Sequence, residues 1–172
     1  QLVFSGDVGR PRDLLLKAPE SPDAADILFL ECTYGDRAHT KESMDRKLKS
    51  IVLETVENGG SVIIPSFAVE RAQLLMTMLW RLQQSGDIPA DIPVILDSPM
   101  GSNALSVFKK YPGWHTLSES DIDEMIRNTR IVRQFKETWD VIDDPKPKIV
   151  IAGSGMVTGG RVLTYLQQYI DR

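Results

Sequence analysis

The chain has 172 residues, 42% of them hydrophobic and 26% charged, with a net charge of −4 at pH 7. That length supports one domain of ordinary size with a real core, and the composition excludes a disordered chain. No apolar run approaches the roughly 20 residues that cross a bilayer, the acidic balance excludes holding nucleic acid by overall field alone, and the single cysteine, Cys32, excludes an internal disulfide and fits the reducing cytoplasm.

The chain opens inside an apolar strand, Leu2–Phe4, with neither an initiating methionine nor a cleavable leader, so it reads as a piece of something longer with no signal peptide. A second strand, Ile27–Leu30, ends at Glu31. Met44, Leu48, Ile51, Val52 and Val56 then repeat near 3.6 residues, predicting a helix with Thr40 as N-cap and Gly59 as stop. Val62–Ile64 is the third strand, and Ser66 is placed to cap a helix starting near Val69. In that helix Leu75, Met78, Leu79 and Leu82 make an apolar stripe, and Gly86 ends it. Strand four is Val94–Leu96, followed by helices expected over 101–110 and 120–137. After the loop "DDPKPK" comes strand five, Ile149–Ala152, and a last helix begins near Thr158 or Gly159.

Short continuous runs rich in Val and Ile are expected to be buried on both faces, and strands alternating with helices predict βαβ units. The fold class is therefore α/β, a mostly parallel β-sheet flanked by helices.

In such sheets ligands sit beyond the carboxyl ends of the strands, so the residues after each run carry the functional information. They read "SGDVGR" (5–10), "ECTYGDR" (31–37), "PSFAVERAQ" (65–73), "DSPMGSN" (97–103) and "GSGMVTGGR" (153–161), all small, polar or charged. Asp7 is a metal ligand or general base, or a turn-stabilising aspartate. Glu31 orients a histidine, takes part in proton transfer, or pairs with Arg37 or Arg71. Arg71, in the first turn of a helix, opposes the helix dipole and calls for an acidic partner or a phosphate.

The glycine loop fails both nucleotide fingerprints. From Gly153 it reads G-x-G-x-x-T, and from Gly155 it reads G-x-x-x-x-G-R-V, with Arg161 where the lysine belongs. Either Ser154, the backbone amides and Arg161 contact a phosphate, or the glycines serve only a tight turn. Arg127, Arg130 and Arg133 are spaced to fan around a helix, as a solvated face or a backbone-contacting patch. Cys32 lacks a supporting base, and His39 and His115 are expected at the surface, making no metal site.

In order, "FSGDVGR", "FLECTYGDR", "PSFAVERAQ", "LDSPM" and "IAGSGMVTGGR" resemble the β-CASP branch of the metallo-β-lactamase superfamily, over Val3 to Arg172. The resemblance implies a nuclease that hydrolyses phosphodiester bonds in RNA, or in some branches DNA, with two zinc ions in the intact parent. It makes residues 1–37 the end of the first metallo-β-lactamase segment, and 38–172 a Rossmann-like β-CASP domain incomplete at its C-terminal end.

Asp7 corresponds to the metal-bridging aspartate, and Glu31 to the acid that supports a histidine arriving later in the chain. Ser66, Arg71, Ser154, Gly155 and Arg161 would face single-stranded RNA. The remaining metallo-β-lactamase portion of the same chain is the implied partner, with a homodimer open and the cytoplasm the expected compartment.

Cys32 replaces a usual serine, and Thr164 and Tyr165 stand where relatives commonly carry histidine. The His-x-His-x-Asp-His cluster and the later histidine motifs are absent from this sequence, so the isolated chain is expected to be inactive and to bind no zinc tightly. The competing readings are a non-catalytic RNA-binding scaffold of the same family and a Rossmann-like nucleotide-binding module.

Overall fold

The computed structural model describes residues 1–38 and 43–170. Thr40 and His39, read above as a helix cap and a surface histidine, lie outside the described residues. Among the described residues six strands and six α-helices follow in order: β1 (Leu2–Phe4), β2 (Ile27–Phe29), α1 (Met44–Glu57), β3 (Val62–Pro65), α2 (Arg71–Gln84), β4 (Val94–Asp97), α3 (Pro99–Lys110), α4 (Glu119–Arg127), β5 (Thr129–Ile131), α5 (Phe135–Asp143), β6 (Ile149–Ala152) and α6 (Arg161–Tyr169). All strand pairs are parallel, as the α/β reading requires, but they make two sheets. One is the pair β1–β2; the other has four strands in the order β3-β6-β4-β5.

The larger sheet is covered on both faces. Side chains alternate across a strand, so Val94, Leu96, Ile149 and Ile151 face a core shared with Met76, Leu79, Ile122 and Met125. Ile95, Val150 and Ala152 face a second core with Val141, Val162 and Tyr165. Helix α2 is buried nearly all round rather than along the predicted stripe. A helix apolar on every side belongs inside a fold. Its buried Thr77 returns its hydroxyl to the Gln73 carbonyl at 2.8 Å.

Several expectations are corrected. The span 120–137 is not one helix. A capping box of Ser118 and Asp121 starts α4, the helix stops at Asn128, and the β-branched Thr129 and Ile131 form the edge strand β5 beside β4. Arg127, Arg130 and Arg133 therefore fall on a helix end, a strand and a loop rather than around one helix. Helix α6 begins at Arg161, behind Gly160 at φ 75°, two or three residues later than read from the pattern.

Strands β1 and β2 are not buried: Leu2, Phe4, Ile27, Leu28 and Phe29 are each more than half exposed. His115 is not a surface residue. It is 3% exposed, stacked on Phe108 with ring centroids 4.6 Å apart, because the segment around Leu16 pairs antiparallel across it. That segment also places Leu15, fully buried, in the core of the larger unit.

Candidate functional site

The ends of β3, β6 and β4 continue the ladder past the strands. The Ser66 amide donates to the Ala152 carbonyl at 2.9 Å, and the Gly153 amide to the Asp97 carbonyl at 3.4 Å. Beyond them opens a cleft of about 470 Å³, whose walls include Ser66, Ser154, Gly155 and Arg161 together with Asp97 and Ser98. Four of the residues singled out from sequence thus share one cleft. Arg71 is not among its lining residues: it is exposed, and among the described residues its side chain makes no ion pair.

The loop 153–160 is closed on itself. The Val162 amide donates to the Gly153 carbonyl at 2.7 Å, and the Ser154 amide to the Gly159 carbonyl at 3.3 Å. A Cβ at Gly160 would lie 2.6 Å from the Gly153 oxygen, and one at Gly155 would lie 2.9 Å from the Phe67 nitrogen. Both positions need glycine for close approach, and Gly160 also for its positive φ.

Two features make the cleft receptive to an anion. The Ser154 hydroxyl is buried with no hydrogen-bond partner among the described residues. Helix α3 starts at the wall, where Ser98 accepts the Gly101 amide at 3.1 Å and Pro99 takes the first turn. Ser66 does not cap α2 as the sequence implied. Its hydroxyl donates to the Phe67 carbonyl at 3.0 Å, and Glu70, at φ 65°, precedes the helix instead.

Asp97 escaped the sequence reading, although a carboxylate closing a wholly apolar strand was a signal that a buried partner must exist. Completely buried, it receives the Arg161 guanidinium on one oxygen, and Tyr165 and Thr138 on the other at 2.7 and 2.8 Å. Arg161 also donates to the Arg133 carbonyl at 3.0 Å and stacks 5.9 Å from the Phe135 centroid. Burial, and secondarily the Asp97 carboxylate, push the Tyr165 hydroxyl far above its ordinary titration range. Arg161 thus lines the cleft with its charge already balanced from behind.

Asp7 and Glu31 follow the two strands of the smaller sheet and are not among the residues that line this cleft. Glu31 pairs with neither Arg37 nor Arg71. One carboxylate oxygen accepts the Thr33 amide at 2.9 Å and the other the Val8 amide at 3.3 Å, while its own amide donates to Ser5 Oγ at 2.9 Å. These bonds, that of the Thr33 amide first, hold its carboxyl below the ordinary value. They also tie the Glu31 turn to the residue following Asp7. Arg37 is engaged with Asp36 at 2.9 Å. Asp7 is exposed and makes no hydrogen bond among the described residues. Cys32 is an exposed free thiol.

Residues 72–172 match the family described as Beta-Casp domain. The chain is 34% identical to Ribonuclease TTHA0252 of Thermus thermophilus, with 96% of this chain and 39% of that protein covered. It is 32% identical to the RNase J-like protein of Methanocaldococcus jannaschii, covering 99% of this chain and 41% of that one, and 28% identical to Endoribonuclease ysh1 of Schizosaccharomyces pombe, covering 98% and 23%. It therefore spans about two fifths or less of the length of these relatives. On the strength of that match, which covers more than half of its residues, the chain belongs to the β-CASP family of the metallo-β-lactamase superfamily.

Proposed function

We propose that this chain is the β-CASP portion of a ribonuclease that hydrolyses phosphodiester bonds, with its strand-end cleft gripping the backbone of single-stranded RNA. The observation that carries the reading is the cleft itself, where an unpartnered Ser154 hydroxyl and the first turn of α3 converge. Relatives named ribonuclease, RNase J-like protein and endoribonuclease support the substrate class.

In this reading the unpartnered Ser154 hydroxyl donates to a phosphate, Ser66, whose own hydroxyl is held by the Phe67 carbonyl, shapes the wall beside it, Gly155 lets the backbone approach closely, and Arg161, fixed in position by Asp97, presents its remaining N–H groups. Arg71, exposed at the start of α2, meets the strand outside the cleft. Residues 1–37 belong to the hydrolase unit and 38–172 to the β-CASP domain. Localisation in the cytoplasm, a homodimer, and activity on DNA as well as RNA complete the proposal.

Membership of the family implies a metal, and zinc is the ion we assign to the parent protein. The described residues do not fit a two-zinc site by themselves, because no group of three or more His, Cys, Asp or Glu side chains is arranged to hold an ion. Among the described residues, Asp7 is the candidate ligand. Glu31, kept ionised by its amide bonds, is an acceptor suited to orienting an imidazole supplied from elsewhere in the parent.

The test is Asp7→Ala in the full-length protein. Cleavage of single-stranded RNA should be lost while the thermal melt is unchanged, because Asp7 is exposed and unbonded among the described residues. Undiminished cleavage removes Asp7 from the mechanism.

A further inference from the structure

A second concavity, of about 370 Å³, lies between the segment around Leu16 and the C-terminal end of α3, walled by Leu16, Val107, Phe108, Tyr111, Trp114 and His115. Its backbone is pinned from both sides. The Trp114 amide donates to the Tyr111 carbonyl at 3.2 Å, the Lys17 amide to the Trp114 carbonyl at 3.3 Å, and the Thr116 amide to the Leu15 carbonyl at 2.8 Å. Trp114 is nevertheless 75% exposed, against 9% and 40% for Trp80 and Trp139. An aromatic ring held in water on a fixed backbone loses little conformational freedom when another ring settles on it.

Beside it, His115 Nε2 bonds the Phe108 carbonyl at 3.1 Å, which leaves Nδ1 buried and unpartnered among the described residues. With Nε2 donating, Nδ1 is an acceptor facing no donor. The charged surroundings favour an anion. Lys110 Nζ sits 5.6 Å above the Tyr111 ring and Lys17 is exposed. Asp123 is ion-paired with Lys109, while Asp13, which accepts the Leu15 and Leu16 amides at 2.8 Å, keeps its charge and leaves Lys17 and Lys110 in excess.

We propose that this concavity takes an unstacked base of single-stranded RNA, lying against Trp114 and Tyr111, with Lys17 and Lys110 meeting the flanking phosphates. The inference rests on the RNA reading above. Base stacking on aromatic side chains beside cationic ones is how single strands are held without sequence preference. Six lining side chains fall well short of the roughly 800 Å² per partner that a stable protein interface buries.

The experiment titrates the full-length protein with a fluorescein-labelled oligouridylate and follows anisotropy. Trp114→Ala should weaken binding roughly five- to a hundredfold, and Trp114→Phe, which keeps a stacking ring, should stay near wild type. Lys110→Glu, which leaves the walls intact, should also weaken binding, and it decides the matter if Trp114→Ala does not fold. Unchanged affinity in Trp114→Ala and Lys110→Glu, with the wild type binding normally, overturns this inference and leaves the RNA reading standing. A wild type that does not bind the oligouridylate overturns the RNA reading itself. A weakened Trp114→Ala whose sedimentation shows an altered oligomeric state reassigns the groove to self-association and overturns the base site.

Discussion

Arg161 and Asp97, 64 residues apart in the chain, form a buried ion pair at the floor of the cleft, with side-chain exposures of 13% and 0%. The pair joins the end of β4 to the first turn of α6 and so fixes both ends of the glycine loop between β6 and α6. Arg161 is therefore a fixed wall of the cleft, its charge balanced by Asp97, rather than a mobile clamp.

Removing either partner alone leaves a buried charge uncompensated, which costs about 3–5 kcal/mol, whereas replacing both with neutral groups is far cheaper. Arg161→Met should accordingly lower the urea midpoint sharply, and adding Asp97→Asn should recover most of the loss. Equal destabilisation by the single and double variants would show that the two charges are not coupled.

Glu31 should behave as a pH-dependent tie. Its carboxyl titrates below the ordinary value of 4.5 because amide bonds favour the ionised form. A depressed folded-state pKa means that the stabilisation is present above the unfolded value and is lost as pH falls through the folded one. The amide signals of Val8 and Thr33 should therefore move together in NMR spectra with a midpoint below 4.5. Glu31→Gln should abolish that titration. A shared midpoint at or above 4.5 would contradict the assigned hydrogen bonds.

Gly160→Ala should damage the cleft more than the fold as a whole. The new methyl would meet Gly153 and Ser154 backbone atoms at 2.6 to 2.8 Å, and the position is left-handed. A cost of order 1–3 kcal/mol is expected from the backbone alone. RNA affinity of the full-length protein should fall further than the thermal melt of the same variant implies, because the loop carrying Ser154 must shift. An affinity loss no larger than that of a surface substitution would remove the loop from the binding site.

The alternation of Val- and Ile-rich runs with helical periods was sufficient to place five of the strands and the α/β class, because strand and helix periodicities are local properties of neighbouring side chains. Parallel topology marked the strand ends as the place to look, and the family resemblance named Ser66, Arg71, Ser154, Gly155 and Arg161 there, of which all but Arg71 line the cleft. What escaped was long-range. β5 is three residues long and exists because β4 offers it an edge. His115 is buried because the segment near Leu16 crosses it.

Asp97 has a role only because Arg161, Tyr165 and Thr138 converge on it from two later helices. β1 and β2 have the composition of buried strands yet stand exposed in a sheet of two, since composition states a demand for cover but not which surface meets it. Local pattern thus determined which segments are strands or helices and which residues are chemically able to act. Tertiary packing alone decided which charges are balanced and which rings face water, because those depend on partners tens of residues away.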